Sequence, residues 1–307
     1  MLLGATAWGS TGTAAHFAPA SATATSIGAA RIALGGVLLL IVAVGTAANR
    51  QGVRILLTGG AGSACGLVPV QRAVLVLAAA AVAGYQVCFF TAVRETGVAI
   101  GTVVAIGSAP AWAGLLTMLT GGPRPGRRWA LATVAAVAGC AVLVTGGRAS
   151  GVSPAGVALA LAAGLCYAIY AVAAGRMITS GGAESAVMGL IFGGAAVLLA
   201  PVLAVGSNGW LVSPRGLAVV GYLGIVTTVL AYLLYGRGLR TVPVPTATTL
   251  GLAEPAVAAL LGLTVLNERL NGAAIAGLVL VGLAVASMAV APAADCAEGI
   301  GRAGPPG

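Results

Sequence analysis

Leu252-Ala253-Glu254-Pro255-Ala256-Val257-Ala258-Ala259-Leu260-Leu261 repeats, in altered form, Gly107-Ser108-Ala109-Pro110-Ala111-Trp112-Ala113-Gly114-Leu115-Leu116. Each copy lies in a long apolar run and carries its proline at the same place. Outward from this pair the match continues. Val93-Arg94 corresponds to Leu239-Arg240 upstream, Gly139 to Gly282 downstream, and Ala7-Trp8-Gly9-Ser10 to Cys166-Tyr167-Ala168-Ile169 near the openings of the two halves. A helix needs roughly 20 apolar residues to cross the hydrocarbon core of a bilayer. Ten stretches qualify, at roughly 2–18, 22–48, 73–93, 97–120, 129–146, 155–178, 185–206, 216–236, 244–266 and 272–291. The repeat divides them into five and five, residues 1–148 and 149–292, followed by a short cytoplasmic tail at 293–307. Five crossings is an odd number, so the second copy must enter the membrane from the opposite side. The expected fold is all-α and polytopic, with ten transmembrane helices as two inverted five-helix repeats around a central cavity. Inverted repeats recur in secondary transporters, with the substrate site near the midplane between the halves.

Composition carries the same message. Of 307 residues 59% are hydrophobic and 7% charged, whereas a soluble domain holds about a quarter charged residues. This chain cannot cover itself with a water-facing surface, and it is far too apolar for disorder. All 15 basic residues are Arg, against 6 acidic residues and one His. A net charge of +9 does not point to nucleic acid, because the arginines stand singly or in small groups between apolar runs, with no basic stripe on a soluble surface. Counted in alternate connections they fall ten to four. The larger set holds Arg50, Arg54, Arg72, Arg124, Arg127, Arg128, Arg176, Arg237, Arg240 and Arg302. The positive-inside bias puts that set, and with it both termini, in the cytoplasm, in a cell (plasma) membrane. The first stretch has no basic segment before it and is not read as a cleaved signal. The five Cys show no metal-ligand or disulfide spacing and read as inert thiols. Gly59 to Gly66 has neither the Gly-Lys-Ser/Thr ending nor the preceding strand of a phosphate loop and reads as a flexible cytoplasmic loop. Gly97/Gly101 and Gly189/Gly193 are GxxxG pairs, read as packing within the chain rather than as a dimer contact.

Ionisable groups inside a span are costly and face a cavity or a partner. Arg31 in the second span and Glu254 in the ninth are such groups. Two readings stand for each: contact with the carboxylate and amino group of a zwitterionic substrate, or mutual neutralisation and capping of backbone freed by Pro255. Pro110 and Pro255 hold matching places and read either as a paired hinge or as fixed bends. Tyr167 with Tyr170, and Tyr232 with Tyr235, share helix faces. Trp8, Ser10, Tyr85 with Gln86, and Trp112 lie in helices expected to border the cavity, where rings hold an apolar group while polar atoms orient its head. Trp129 and Trp210, with Tyr235, fit an interfacial belt instead. His16 is the only His, and because an imidazole can carry a proton it raises proton coupling, although a helix-end His is usually just solvated. Glu184 and Glu268 sit in connections and read as solvated.

These residues also resemble a family. Trp8-Gly9-Ser10, followed by the helix that opens Arg31-Ile32-Ala33-Leu34-Gly35-Gly36, is similar to the first repeat of EamA-type drug/metabolite transporters. The second repeat is matched by Glu254-Pro255-Ala256-Val257-Ala258-Ala259-Leu260-Leu261-Gly262 and then Leu266-Asn267-Glu268-Arg269-Leu270. The resemblance spans nearly the whole chain, roughly 2–291. It implies ten helices around a central cavity and transport of small metabolites or drugs, frequently amino-acid export. One departure concerns Gly121-Gly122-Pro123-Arg124-Pro125-Gly126-Arg127-Arg128, which stands where a Gly-Glu-Arg segment is common. The connection at 49–71 is also longer than usual.

The function expected is therefore secondary transport of a small organic metabolite, an amino acid or related amphiphile, outward by alternating access. Uptake, or a drug or sugar-like substrate, is the alternative within transport; outside transport it is a structural or sensory membrane protein. No nucleotide-binding motif is present, and neither a cofactor nor a metal is expected. An enzyme would need a nucleophile with a base, paired carboxylates or a metal site, which one His and two intramembrane charges do not supply. A channel would want rings of like groups from several subunits. The partners expected are a small-molecule substrate, the lipid bilayer and, for coupling, protons, with no nucleic acid and the chain working as a monomer.

Overall fold

In the computed structural model every one of the ten apolar stretches is helical, and two of them are interrupted. The structure describes residues 1–45, 47–58, 67–145, 153–206, 208–266 and 271–289. The Gly59–Gly66 loop, Cys65, Cys296, Glu268 with its neighbours and the tail at 293–307 lie outside the described residues. The first half contains α1 (Leu2–His16), α2 (Ala24–Gly45), α3 (Ala47–Thr58), α4 (Leu67–Thr96), α5 (Val98–Leu119) and α6 (Arg127–Thr145). The second contains α7 (Pro154–Thr179), α8 (Glu184–Val205), α9 (Pro214–Gly224), α10 (Ala231–Gly238), α11 (Val244–Gly251), α12 (Ala253–Val265) and α13 (Gly272–Ala289). Among the described residues eight segments are long and apolar enough to cross a membrane. α1, at 15 residues, rises only about 22 Å, yet it holds the place in the first half that α7 holds in the second.

Local chemistry sets the ends. Ser153 and Ser213 each precede a proline at the first helical position, and each hydroxyl accepts from a backbone N–H three residues on, Gly156 at 3.3 Å and Gly216 at 3.0 Å. Proline at that position lacks only an N–H that the helix leaves unbonded. Gly97 adopts φ +83° between α4 and α5, with no atom within 4 Å of where a Cβ would stand. It is a turn glycine, so of the Gly97/Gly101 pair only Gly101 packs within the chain, against Val93 and Thr96 of α4. Gly189 and Gly193 do pack within the chain, against Leu39, Leu40 and Ala43 of α2.

Three features depart from the sequence reading. The stretch at 49–71 contains most of α3, which packs on α2, α4 and α8 and buries Leu56. Its apolar positions serve one face only, too few to register as a span. The eighth span passes through one π turn, Ile225–Leu230, between α9 and α10. There the β-branched run Val226-Thr227-Thr228-Val229 crowds the helix, and both threonine hydroxyls donate to the Leu223 carbonyl, at 2.8 and 3.0 Å. Back-bonding of this kind competes with the regular ladder. The ninth span breaks at Leu252, between α11 and α12, three residues before Pro255.

The helix pairing has the symmetry of an inverted repeat. α2 packs on α8 and α6 on α13, each on its own counterpart. α7 packs on α4 and α5 of the first half, and reciprocally α1 packs on α9, α10 and α12 of the second. Each half thus lends its first helix to the other. The α6–α13 crossing runs through Gly139 and Gly277: a Cβ on Gly277 would stand 2.6 Å from the Gly139 carbonyl oxygen. Gly282, which the sequence aligns with Gly139, has nothing near it. At the end of the bundle that carries Met1, Arg176 donates to the Thr120 carbonyl and Arg128 to that of Ser287 at 2.6 Å. Glu184 pairs there with Arg237 at 3.9 Å and with Arg240. Its side chain is only 17% exposed, so it is not the solvated group that its place in a connection suggested.

Candidate functional site

Between the halves lies a cavity of about 440 Å3. The first half supplies Trp8, Thr11 and Gly12 from α1, Gly28 and Arg31 from α2, and Tyr85, Gln86, Phe89 and Phe90 from α4. The second half supplies Tyr167 and Tyr170 from α7, Tyr232 from α10, and Glu254 and Pro255 from α12. From Glu254 the cavity extends away from the Met1 end, toward Ala15, Ala24 and Val93. Two glycines let the backbones come close enough to form it. A Cβ on Gly9 would meet the Glu254 carbonyl oxygen at 2.8 Å and Val257 Cβ at 2.7 Å, so α1 crosses α12 in contact beside the helix break. A Cβ on Gly28 would fall 2.1 Å from Phe90 Cε2, so the Phe90 ring lies against bare α2 backbone.

The walls are mostly aromatic. Trp8 stands 5.1 Å from Tyr232 and 5.3 Å from Tyr235, ring centre to ring centre. Tyr232 packs at 3.9 Å on Phe192 and 6.2 Å from Tyr170. Tyr85 stacks on Phe89 at 5.4 Å, and Tyr167 on Tyr170 at 5.3 Å. Such pairs contribute about 0.5–1.5 kcal/mol each beyond the area they bury, enough to hold the rings as rigid walls. Into this lining project one cation and one anion. Among the described residues the ion pairs are those of Glu184 with Arg237 and Arg240. Arg31 and Glu254 form none, although each lies within electrostatic reach of the other and of Tyr85 and Tyr232. Arg31 Nε, Trp8 Nε1, Thr11 Oγ1 and Gln86 Oε1 are buried and have no hydrogen-bond partner among the described residues. An unpaired buried polar group costs about 1–3 kcal/mol, a cost that a bound polar molecule would relieve.

Nine residues singled out in the sequence meet here: Trp8, Arg31, Tyr85, Gln86, Tyr167, Tyr170, Tyr232, Glu254 and Pro255. Ser10 and Trp112 do not line the cavity. The Ser10 hydroxyl donates to the Ala7 carbonyl at 2.7 Å and accepts from Tyr222 at 2.9 Å, tying α1 to α9. Trp112 is half-buried on α5 outside the cavity. The two prolines also part company, because Pro110 is buried within unbroken α5 while Pro255 lines the cavity beside a break. Trp210 is not in a belt: it is 3% exposed and donates to the Ser26 hydroxyl at 3.1 Å. Tyr235 is likewise 1% exposed. Both rings pack inside because the turn before α9 folds under α2 and because α1 covers α10. Trp129 is half-buried and lies over Gly114. His16 is exposed at the end of α1, edge-on to Phe17 at 5.7 Å. Thr11, Gly28, Phe89 and Phe90 escaped the sequence reading, although each lies one helical turn from a residue that did not. Among the described residues no cluster of His, Cys, Asp or Glu could hold a metal ion.

An inverted ten-segment bundle with a mixed-charge, aromatic cavity between its halves defines a multi-pass membrane transporter. The EamA-like transporter family matches residues 1–145 and again 154–290. The chain belongs to that family. It is 37% identical over 293 residues, 95% of this chain and 93% of the other, to "Uncharacterized transporter YwfM" of Bacillus subtilis (strain 168). A solved crystal structure superposes with a TM-score of 0.73 over 93% of this chain and 94% of the other at 23% identity, a likeness of fold. The protein is a membrane transporter of small molecules rather than an enzyme.

Proposed function

We propose that the chain exports a small zwitterionic amphiphile, an amino acid or a close relative, across the plasma membrane by alternating access, working as a monomer. The observation that carries this reading is the pair Arg31 and Glu254, which share one aromatic cavity without closing into a salt bridge. A carboxylate bound at Arg31 and an ammonium at Glu254 would each gain a charge-assisted hydrogen bond, the stronger kind. The aromatic walls then take the apolar side chain. The cavity is within the roughly 300–1,000 Å3 of small-molecule sites. The ten-to-four arginine count supports a cytoplasmic location for both termini. In that orientation the cavity faces outward, and the contacts of Arg176, Arg128 and Glu184 close the cytoplasmic end. For the rocking of the halves, the break beside Pro255 is the hinge this reading favours, with Pro110 as its unbroken counterpart.

Counterflow in proteoliposomes tests this. Labelled amino acids are compared with a panel of amphiphilic drugs and sugars, with and without a pH gradient. Saturable exchange confined to zwitterions supports the reading, and its response to the gradient decides whether protons are coupled. Exchange of sugars or of permanently cationic drugs alone would sink it.

A further inference from the structure

A π turn accommodates one residue more than an α turn, so it rotates the rest of the helix by about 100° relative to a continuous one. Just beyond Ile225–Leu230 stand Tyr232, which lines the cavity, and Tyr235, which supports Trp8. Thr228 lies at the centre of this turn, fully buried, and its hydroxyl bond to the Leu223 carbonyl spans five residues, the π spacing. The turn is seated on α2 by a reciprocal fit. A Cβ on Gly35 would stand 2.5 Å from both Cβ and Cγ2 of Thr228, and a Cβ on Gly224 would stand 2.8 Å from Cδ2 of Leu34. Each helix therefore offers a side chain to the other's bare glycine. Arg31 is one turn from Gly35 along α2, and Tyr232 one turn from Thr228 along the eighth span. Both line the cavity, from opposite halves of the molecule.

We infer that the Thr228–Gly35 contact is the positioning device of the substrate site: it holds the π turn in register with α2, so that Tyr232 faces Arg31 across the cavity and their separation selects the substrate. Thr228 and Gly35 touch no ligand and act through those two residues. The inference rests on the cavity being the transport site, as proposed above. The registered turn also accounts for the 3.9 Å contact of Tyr232 with Phe192, which a rotation of about 100° would abolish.

The test uses the full chain in proteoliposomes, with its five Cys replaced by Ala and Tyr232→Cys added as a reporter. A water-soluble methanethiosulfonate reagent should label this thiol through the cavity; a reporter that stays unlabelled overturns the inference at once. Deleting Val226 returns the turn to α spacing and should slow labelling at least about tenfold, a change of 1.4 kcal/mol in access. Gly35→Ala, and Thr228→Ser, which keeps the hydroxyl and removes the methyl seated on Gly35, should each change the rate in folded protein. These point variants decide the matter if the deletion does not fold. Thr264→Val is the control, since it removes an equivalent hydroxyl bond, Thr264 to the Leu260 carbonyl at 2.8 Å, on an exposed surface. Equal labelling in all variants overturns the inference. In the chain with its native cysteines and Tyr232, Thr228→Ser should alter the ratio of half-inhibition values between small and large competitors, while Thr264→Val leaves it unchanged. Labelling that responds without flux of any zwitterion keeps the positioning role and refutes the transport reading. Zwitterion flux with unchanged labelling and unchanged ratios does the reverse.

Discussion

Gly277→Ala and Gly282→Ala should move stability in opposite directions, although the residues lie on one helix five positions apart. The Gly277 Cβ would be 2.4 Å from the Leu143 nitrogen, 2.6 Å from the Gly139 oxygen and 2.8 Å from Leu143 Cα. All three are backbone atoms, which cannot swing aside, so α13 must lift off α6 by about 1 Å to restore ordinary contact. A gap of that size forfeits roughly a quarter to a half of the dispersion energy of the atoms pulled apart. In lipid no hydrophobic force between helices compensates, because packing itself drives association. The expected cost is about 1–3 kcal/mol, the usual range for overpacking. At Gly282 no atom lies within 4 Å, so alanine there removes only backbone freedom and should stabilise by up to about 1 kcal/mol. Thermal unfolding in detergent, monitored by the fraction surviving size-exclusion after heating, measures both. A Gly277→Ala protein as stable as the parent, or equal shifts at the two positions, would refute the packing of α6 on α13 through glycine.

Glu254→Gln removes a charge that makes no salt bridge among the described residues, so the melting temperature should stay close to that of the parent. The apparent KM for a zwitterion should rise about ten- to a hundredfold, the value of one charge-assisted bond of roughly 1.5–3 kcal/mol; loss of folded protein with KM unchanged would assign Glu254 to structure. Glu184→Gln breaks an ion pair whose arginines are 77% and 54% exposed, so screening keeps the cost to at most about 1 kcal/mol, and the effect should shrink in high salt. In whole cells an impermeant thiol reagent should label Gly272→Cys from outside and reach Arg127→Cys only after permeabilisation. The opposite pattern would invert the proposed orientation.

The helices were legible because ten long apolar runs admit little else, and five crossings per copy made the repeat an inverted one. The cavity residues were legible for a related reason: in a chain with 5% aromatic residues and few charges, a Tyr, Trp, Arg or Glu within a span is conspicuous. Where the reading failed, short-range context outweighed residue type. Ser10 looks like a cavity hydroxyl, but the 2.9 Å bond from Tyr222 depends on how α1 meets α9. Trp210 looks interfacial until Ser26 is brought to its indole nitrogen from 184 residues away. The π turn leaves no mark in the apolar pattern, since β-branched residues are as apolar in either winding. Glycines are least legible of all. Gly97 and Gly101 have the spacing of a packing motif, yet φ at Gly97 makes it a turn, and Gly277 rather than the aligned Gly282 carries the crossing with Gly139.

The two halves share a scaffold but divide the site unequally. α4 runs unbroken for 30 residues while its counterpart passes through a π turn, and α5 continues through Pro110 while its counterpart breaks ahead of Pro255. Both irregularities fall in the second half, and each lies within a few residues of a cavity group, Tyr232 in one case and Glu254 in the other. Glu254 has no partner in the repeat, because the aligned position is Ala109, fully buried. Arg31 is the cation of the cavity and belongs to the first half. A symmetric bundle would present the same chemistry from both walls and could not tell one end of an asymmetric molecule from the other. Here pseudo-symmetry lets each half borrow the other's first helix, while its local violations place one charge on each wall. Irregular backbone is tolerated at membrane depth beside a cavity, and among the described residues both interruptions of a span end two residues before a group that lines the cavity, Tyr232 after Leu230 and Glu254 after Leu252.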